Sequence, residues 1–135
     1  MENIKDLINV DALAAAEAAV KLLFEKKALN VKLFEVSEYT SVTDYYVNAT
    51  GRSGSHVASL ADELADNFKE RGLAPLRVEG KQGNAWILVD FGFLIVNVFD
   101  SASRDFYNFD RLLPSECERS TAYLLEEVDK KFKID

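Results

Sequence analysis

The chain has 135 residues, 48% hydrophobic and 29% charged, with 16 basic against 23 acidic side chains for a net charge of −7. Set against about 100–200 residues per domain, this is one domain, residues 1–135, with an ordinary globular balance that excludes disordered and fibrous classes. No apolar run nears the roughly 20 residues that span a bilayer, and a single cysteine, Cys117, and a single histidine, His56, exclude an internal disulfide and a multi-cysteine or histidine-rich metal centre.

Asp11 is placed to cap a helix running to about Lys27, with Leu13, Val20, Leu23 and Phe24 forming an approximate stripe. Val31–Val36 reads as a strand. A polar turn around Ser41–Asp44 leads into a second, Tyr45–Thr50. Gly51 breaks the chain, and Ser53 or Ser55 caps the clearest helix. There Val57, Leu60, Ala61, Leu64 and Phe68 keep helical spacing, and Gly72 supplies the stop. Leu76–Glu79 is a short strand and Gly80–Asn84 a loop. Ala85–Asp90 and Leu94–Phe99 form an antiparallel hairpin turning at Gly92. A short helical or turn-rich piece covers Ser101–Leu113. A last helix is expected from near Ser115, with Glu116 and Glu118 in its first turn and lysines in its last. The helix between the second and third strands has crossover length, which predicts that they run parallel. The expectation is an α/β domain of two or three layers, with a mixed five-stranded sheet flanked by helices.

Several chemistries can be tried on this frame. Gly51-Arg52-Ser53-Gly54-Ser55, between a strand and a helix, has the setting of a phosphate cradle, since helix N-termini favour anions. It is neither a Walker motif nor GxGxxG, and a glycine turn with serine caps is the favoured reading. Nucleotidyltransferases use such a loop together with an acid-x-acid pair on the next strand. Here Asp62, Glu63 and Asp66 fall on the helix, and the strands offer only Glu79 or Asp90. His56 with Ser53 or Ser55 lacks a visible orienting third group, and reads as a solvated residue in a first helical turn. Cys117 reads as a half-buried small side chain, and Trp86 as a core residue of its strand. Lys130-Lys131-Phe132-Lys133, the one dense basic cluster, suits a helix C-terminus better than a nucleic-acid patch. The run Arg104-Asp105-Phe106-Tyr107-Asn108-Phe109-Asp110-Arg111 mixes aromatics with paired charges. It reads either as an interface anchor or as a packed turn with a local Arg–Asp pair.

Taken together, Thr43-Asp44-Tyr45-Tyr46-Val47, Gly51-x-Ser53, His56-Val57-x-x-Leu60-Ala61-Asp62, Glu79-Gly80, Trp86-Ile87-Leu88-Val89-Asp90-x-Gly92 and Arg104-Asp105-Phe106-Tyr107 resemble the ribosomal silencing factor family, also called the Iojap family. The resemblance extends over roughly Leu13–Leu113. It departs from the family pattern at Asn97, where a histidine is usual, near Asp110, where a glutamate is usual, and near Leu113, where a tryptophan is usual. It implies a fold similar to nucleotidyltransferases but without their catalytic carboxylates, and a non-enzymatic translation regulator without cofactor or metal. Such a regulator binds the fourteenth protein of the large ribosomal subunit. It blocks joining of the small subunit when nutrients are scarce, and is homodimeric when free. No membrane or sequence-specific nucleic-acid partner is implied. The start Met1-Glu2-Asn3-Ile4-Lys5-Asp6 carries no leader pattern, which with the lone cysteine points to the cytoplasm. The expected partner-binding residues are Trp86, Asp90, Asn97, Arg104, Phe106, Tyr107 and Asp110. Alanine at Arg104 or Tyr107 is expected to weaken binding and leave the fold intact. A nucleotidyltransferase-like or phosphate-binding enzyme using Gly51–Ser55 is the alternative.

Overall fold

A computed structural model describes residues 7–133; the leader expectation at residues 1–6 lies outside them. Asp11 caps as expected, its Oδ1 accepting the Ala14 N–H at 2.8 Å, and helix α1 runs Ala12–Glu25. Strand β1 (Leu29–Glu35) and strand β2 (Tyr45–Gly51) pair antiparallel. Ser53 caps helix α2 (Gly54–Glu70), and Gly72 at φ +101° ends it. Strands β3 (Arg77–Glu79), β4 (Trp86–Asp90) and β5 (Leu94–Asp100) follow, with Gly92 at φ +96° in the β4–β5 hairpin. Helix α3 spans Ser101–Tyr107, and a 3₁₀ turn spans Phe109–Leu112.

Among the described residues the sheet has six strands, not five, in the order β3-β4-β5-β2-β1 and then one more. The sixth, β6, is Glu118–Arg119, paired antiparallel with Leu33–Phe34. It lies where the final helix was expected to begin. Ser115–Cys117 instead forms a 3₁₀ turn, and helix α4 starts at Ala122 and runs to Lys133. The cause is tertiary. Cys117 is fully buried, rather than half-buried, against Phe34 and Val36, and Arg119 Nε reaches Glu35 Oε1 at 3.2 Å. These contacts hold the segment extended against β1. A two-residue strand has no periodicity to betray it.

The crossover through α2 does send β3 in the direction of β2, but β4 and β5 lie between them. The parallel neighbour of β2 is β5, because the hairpin folds back and inserts its second strand. Alternation then divides the sheet's residues by face. Val47, Ala49, Ile87, Val89, Leu94, Val96 and Val98 pack with Leu23, Leu60, Leu64 and Phe68 under α1 and α2. Tyr46, Asn48, Thr50, Trp86, Leu88, Asp90, Ile95, Asn97 and Phe99 fall on the other face. There α3 packs chiefly on β5 and β2, and its Tyr107 reaches Trp86 on β4. Helix α4 lies outside α1 and runs parallel to it. Glu17, Lys21 and Glu25 meet Tyr123, Glu127 and Lys131 in turn, at 2.6, 3.2 and 3.2 Å. No helix among the described residues is long and apolar enough to cross a membrane.

Candidate functional site

The face opposite α1 and α2 carries a polar network in the middle of apolar strands. Asn48 and Asn97 are cross-strand partners on β2 and β5, at 0% and 1% exposure. Burying an amide without partners costs several kcal/mol, about 2–7 by transfer measures, so both are fully engaged. Trp86 Nε1 donates to Asn97 Oδ1 at 2.9 Å, and Asn97 Nδ2 donates to Asn48 Oδ1 at 3.0 Å. Asn48 Nδ2 then donates to Asp110 Oδ1 at 2.6 Å. The other carboxylate oxygen, Oδ2, accepts from Arg104 Nε at 3.2 Å and Nη2 at 3.0 Å. Arg104, 6% exposed, also donates to Thr50 Oγ1 and to the Asn30 carbonyl, both at 2.9 Å. Asn30 aims that carbonyl inward from the left-handed region at φ 51°, where the register of β1 slips. Among the described residues, no buried side-chain nitrogen or oxygen lacks a hydrogen-bond partner.

Over this network lies a graded set of aromatic rings. Phe99 is buried, with the Arg104 guanidinium over its ring. Half-buried Trp86 lies 4.8 Å from the Phe99 ring and 4.9 Å from Tyr107, and Tyr107 meets Phe106 edge-on at 5.0 Å. Exposure rises outward, to 50% at Tyr107 and 80% at Phe106, with Leu112 also largely exposed nearby in the chain. Phe109 lies 6.2 Å from the Trp86 ring and meets Tyr46 edge-on at 5.1 Å. Asn108, in the left-handed region at φ 51°, ends α3 and turns the chain so that Phe109 and Asp110 come back onto the sheet.

Six of the seven expected residues, Trp86, Asn97, Arg104, Phe106, Tyr107 and Asp110, are thus in one constellation, but in two roles. Phe106, Tyr107 and the Trp86 edge face outward. Asn97, Arg104 and most of Asp110 lie beneath them, so Arg104 is not a surface contact. The expectation that its removal spares the fold fails on burial. Asp90 shares the face of Trp86 on β4, as alternation requires, yet it serves the hairpin. Its Oδ1 accepts the Gly92 N–H at 2.8 Å, and its Oδ2 accepts Arg77 Nε at 3.0 Å. That bond is the main cause raising the Arg77 guanidinium above its ordinary range. Sequence reasoning missed Asn48, Thr50 and Asn30, and had Phe109 only as part of the aromatic run. Asn48 and Thr50 had a signal, as polar residues at alternate positions of an apolar strand.

The Gly51–Ser55 loop bonds in part to the chain's own groups. Ser53 Oγ caps the His56 N–H at 3.2 Å, and the Arg52 N–H donates to His56 Nδ1 at 2.9 Å. Nδ1 is therefore the acceptor, and Nε2 donates to the Lys26 carbonyl at 2.9 Å. His56 is a half-buried clasp between the loop and the end of α1, not a solvated residue. Gly51 allows the close approach, since a Cβ there would lie 2.7 Å from Val57 Cγ2 and 2.8 Å from Val57 N. The Cys117 thiol is pushed above its ordinary range, chiefly by burial and further by Glu116.

Residues 9–134 match the family described as "Ribosomal silencing factor during starvation". The chain belongs to the ribosomal silencing factor family. It is 33% identical over 90 residues to the ribosomal silencing factor of Zymomonas mobilis, covering 67% of this chain and 68% of that one. It is 31% identical over 100 residues to that of Haemophilus influenzae, covering 74% of this chain and 98% of that one. A crystal structure of a Chromobacterium violaceum protein superposes with a TM-score of 0.74 at 29% identity, over 78% of this chain and 92% of that one. As a ribosomal silencing factor family member, the chain falls among regulators of translation, in agreement with the sequence resemblance.

Proposed function

We propose that this chain binds the large ribosomal subunit through its fourteenth protein, on the face that meets the small subunit, and prevents the two from joining. The observation that carries this reading is the outward aromatic set of Trp86, Tyr107 and Phe106 on a sheet face that α3 only partly covers. Large aromatic groups seated on a rigid, satisfied base are the usual make-up of a binding hot spot. The net charge of −7 complements a partner embedded in a basic ribosomal surface. The mechanism is occlusion. The protein occupies the joining surface, makes no covalent change, and lowers translation when nutrients are scarce. In this reading it works in the cytoplasm, needs no cofactor or metal, and forms a homodimer when free. Its fold is related to nucleotidyltransferases without their paired carboxylates.

The test is co-sedimentation with isolated large subunits, with and without added small subunits. The protein is expected to pellet with large subunits and to reduce the yield of joined ribosomes in proportion to its occupancy. Added after joining, it is expected to act slowly, at the rate at which ribosomes come apart. Undiminished joining at saturating protein refutes the proposal.

A further inference from the structure

The buried network has a forced direction. The indole Nε1 of Trp86 can only donate, so Asn97 must turn its Oδ1 toward it and its Nδ2 toward Asn48. Asn48 must then present Oδ1 to Asn97, leaving Nδ2 to donate onward. The last acceptor is a carboxylate, Asp110, and Arg104 holds that carboxylate in place from the opposite side. Flipping either amide would set N–H against N–H at one end and oxygen against oxygen at the other. The network therefore has one satisfied state, and it ties the half-exposed indole to an ion pair on the far side of two strands.

We propose that Asn97, Asn48 and Asp110 are positioning residues that act as a one-way hydrogen-bond relay, fixing the pose of Trp86 on the docking face from the Arg104–Asp110 pair. The relay rests on the reading of that face as the ribosome-docking surface. It adds that affinity is controlled by residues that touch no partner. Arg104 anchors the far end through Thr50 and the Asn30 carbonyl. The indole is left a single orientation between Phe99 and Tyr107, so no rotational freedom is lost there on binding.

Trp86 is the chain's single tryptophan, so its indole N–H gives one assignable resonance in the free protein. The experiment records that resonance and its solvent exchange in the wild type, Asn97→Leu, Asp110→Asn and Asn97→His, and measures large-subunit affinity for each. Asp110 stands three hydrogen bonds away from the indole, yet Asp110→Asn is expected to shift the resonance and speed its exchange, as Asn97→Leu does. Both are expected to weaken large-subunit binding by about three- to tenfold, the range of one lost hydrogen bond. Asn97→His supplies one acceptor and one donor from a neutral ring, and is expected to restore a slowly exchanging indole and near-wild-type affinity. Should Asn97→Leu not fold, Asp110→Asn and Asn97→His carry the test. An unchanged indole in Asp110→Asn overturns the relay, even if Asn97→Leu moves it, because the effect is then a local bond only. A responsive indole with unchanged affinity upholds the relay and sinks the docking reading of Trp86.

Discussion

Tyr107 and Arg104 stand three residues apart on one short helix, and their substitutions should fail in opposite ways. Tyr107 is half exposed, so Tyr107→Ala is expected to lower large-subunit affinity by about 1–4 kcal/mol with little change in melting temperature. Arg104→Ala leaves Asp110 without its cation and Thr50 and the Asn30 carbonyl without a donor. It is expected to destabilise the fold by about 3–5 kcal/mol, as breaking a buried pair does. Parallel measurements of unfolding and co-sedimentation separate the two. If Arg104→Ala melted normally and lost binding, the residue would be a contact after all. Leu60→Ala, under α2 in the main core, is a reference for pure packing loss. It should cost about 2–5 kcal/mol of stability and leave the face unchanged.

At the scale of elements, α4 is held to α1 by polar rungs at four-residue spacing, with Leu124 and Val128 beneath them. The Tyr123 phenol is pushed up to about 12 from an ordinary value of 10.0, first by burial and then by its hydrogen bond to Glu17. The neutral phenol is thus the form the fold favours. Its contribution is complete below about pH 10 and is lost as pH rises through 12. The difference in melting temperature between wild type and Tyr123→Phe should therefore be constant through neutral pH and shrink between pH 10 and 12. A difference that stays flat to pH 12 would mean that the rung contributes nothing.

The same scale shows what could be read in advance. Asp11, Ser53, Gly72 and Gly92 act locally, through caps and turns, and their positions followed from residue type and spacing. The strand at Glu118–Arg119 and the late start of α4 depend on β1, which is 84 residues away at the Glu35–Arg119 contact. No local pattern encodes that. The site was legible to a comparable depth. Composition and family resemblance gathered six of its residues. Which of them face outward is decided by the return of Asp110 onto Asn48, a contact 62 residues apart in the chain.

For the whole molecule, the occlusion reading and the enzyme alternative differ in their response to small ligands. Two donors of this loop are already taken, the Arg52 N–H by His56 Nδ1 and the His56 N–H by Ser53 Oγ. Nucleotides with Mg²⁺ should therefore leave the melting temperature unchanged, where a ligand at 100 times its dissociation constant would add about 2.7 kcal/mol. A saturable rise in melting temperature would revive the phosphate-binding alternative. An acidic protein docking on a basic surface should also associate more slowly as salt is raised. A rate of association that ignored ionic strength would count against charge complementarity.

Both ends of the sheet are short. β3 offers three residues, two of them the exposed and mutually paired Arg77 and Glu79, and β6 offers two exposed residues. A backbone edge of that length gives an incoming strand almost nothing to zip along, and its charges discourage the attempt. The homodimer proposed above would therefore have to form through side chains on a face, where single substitutions would tune or abolish it.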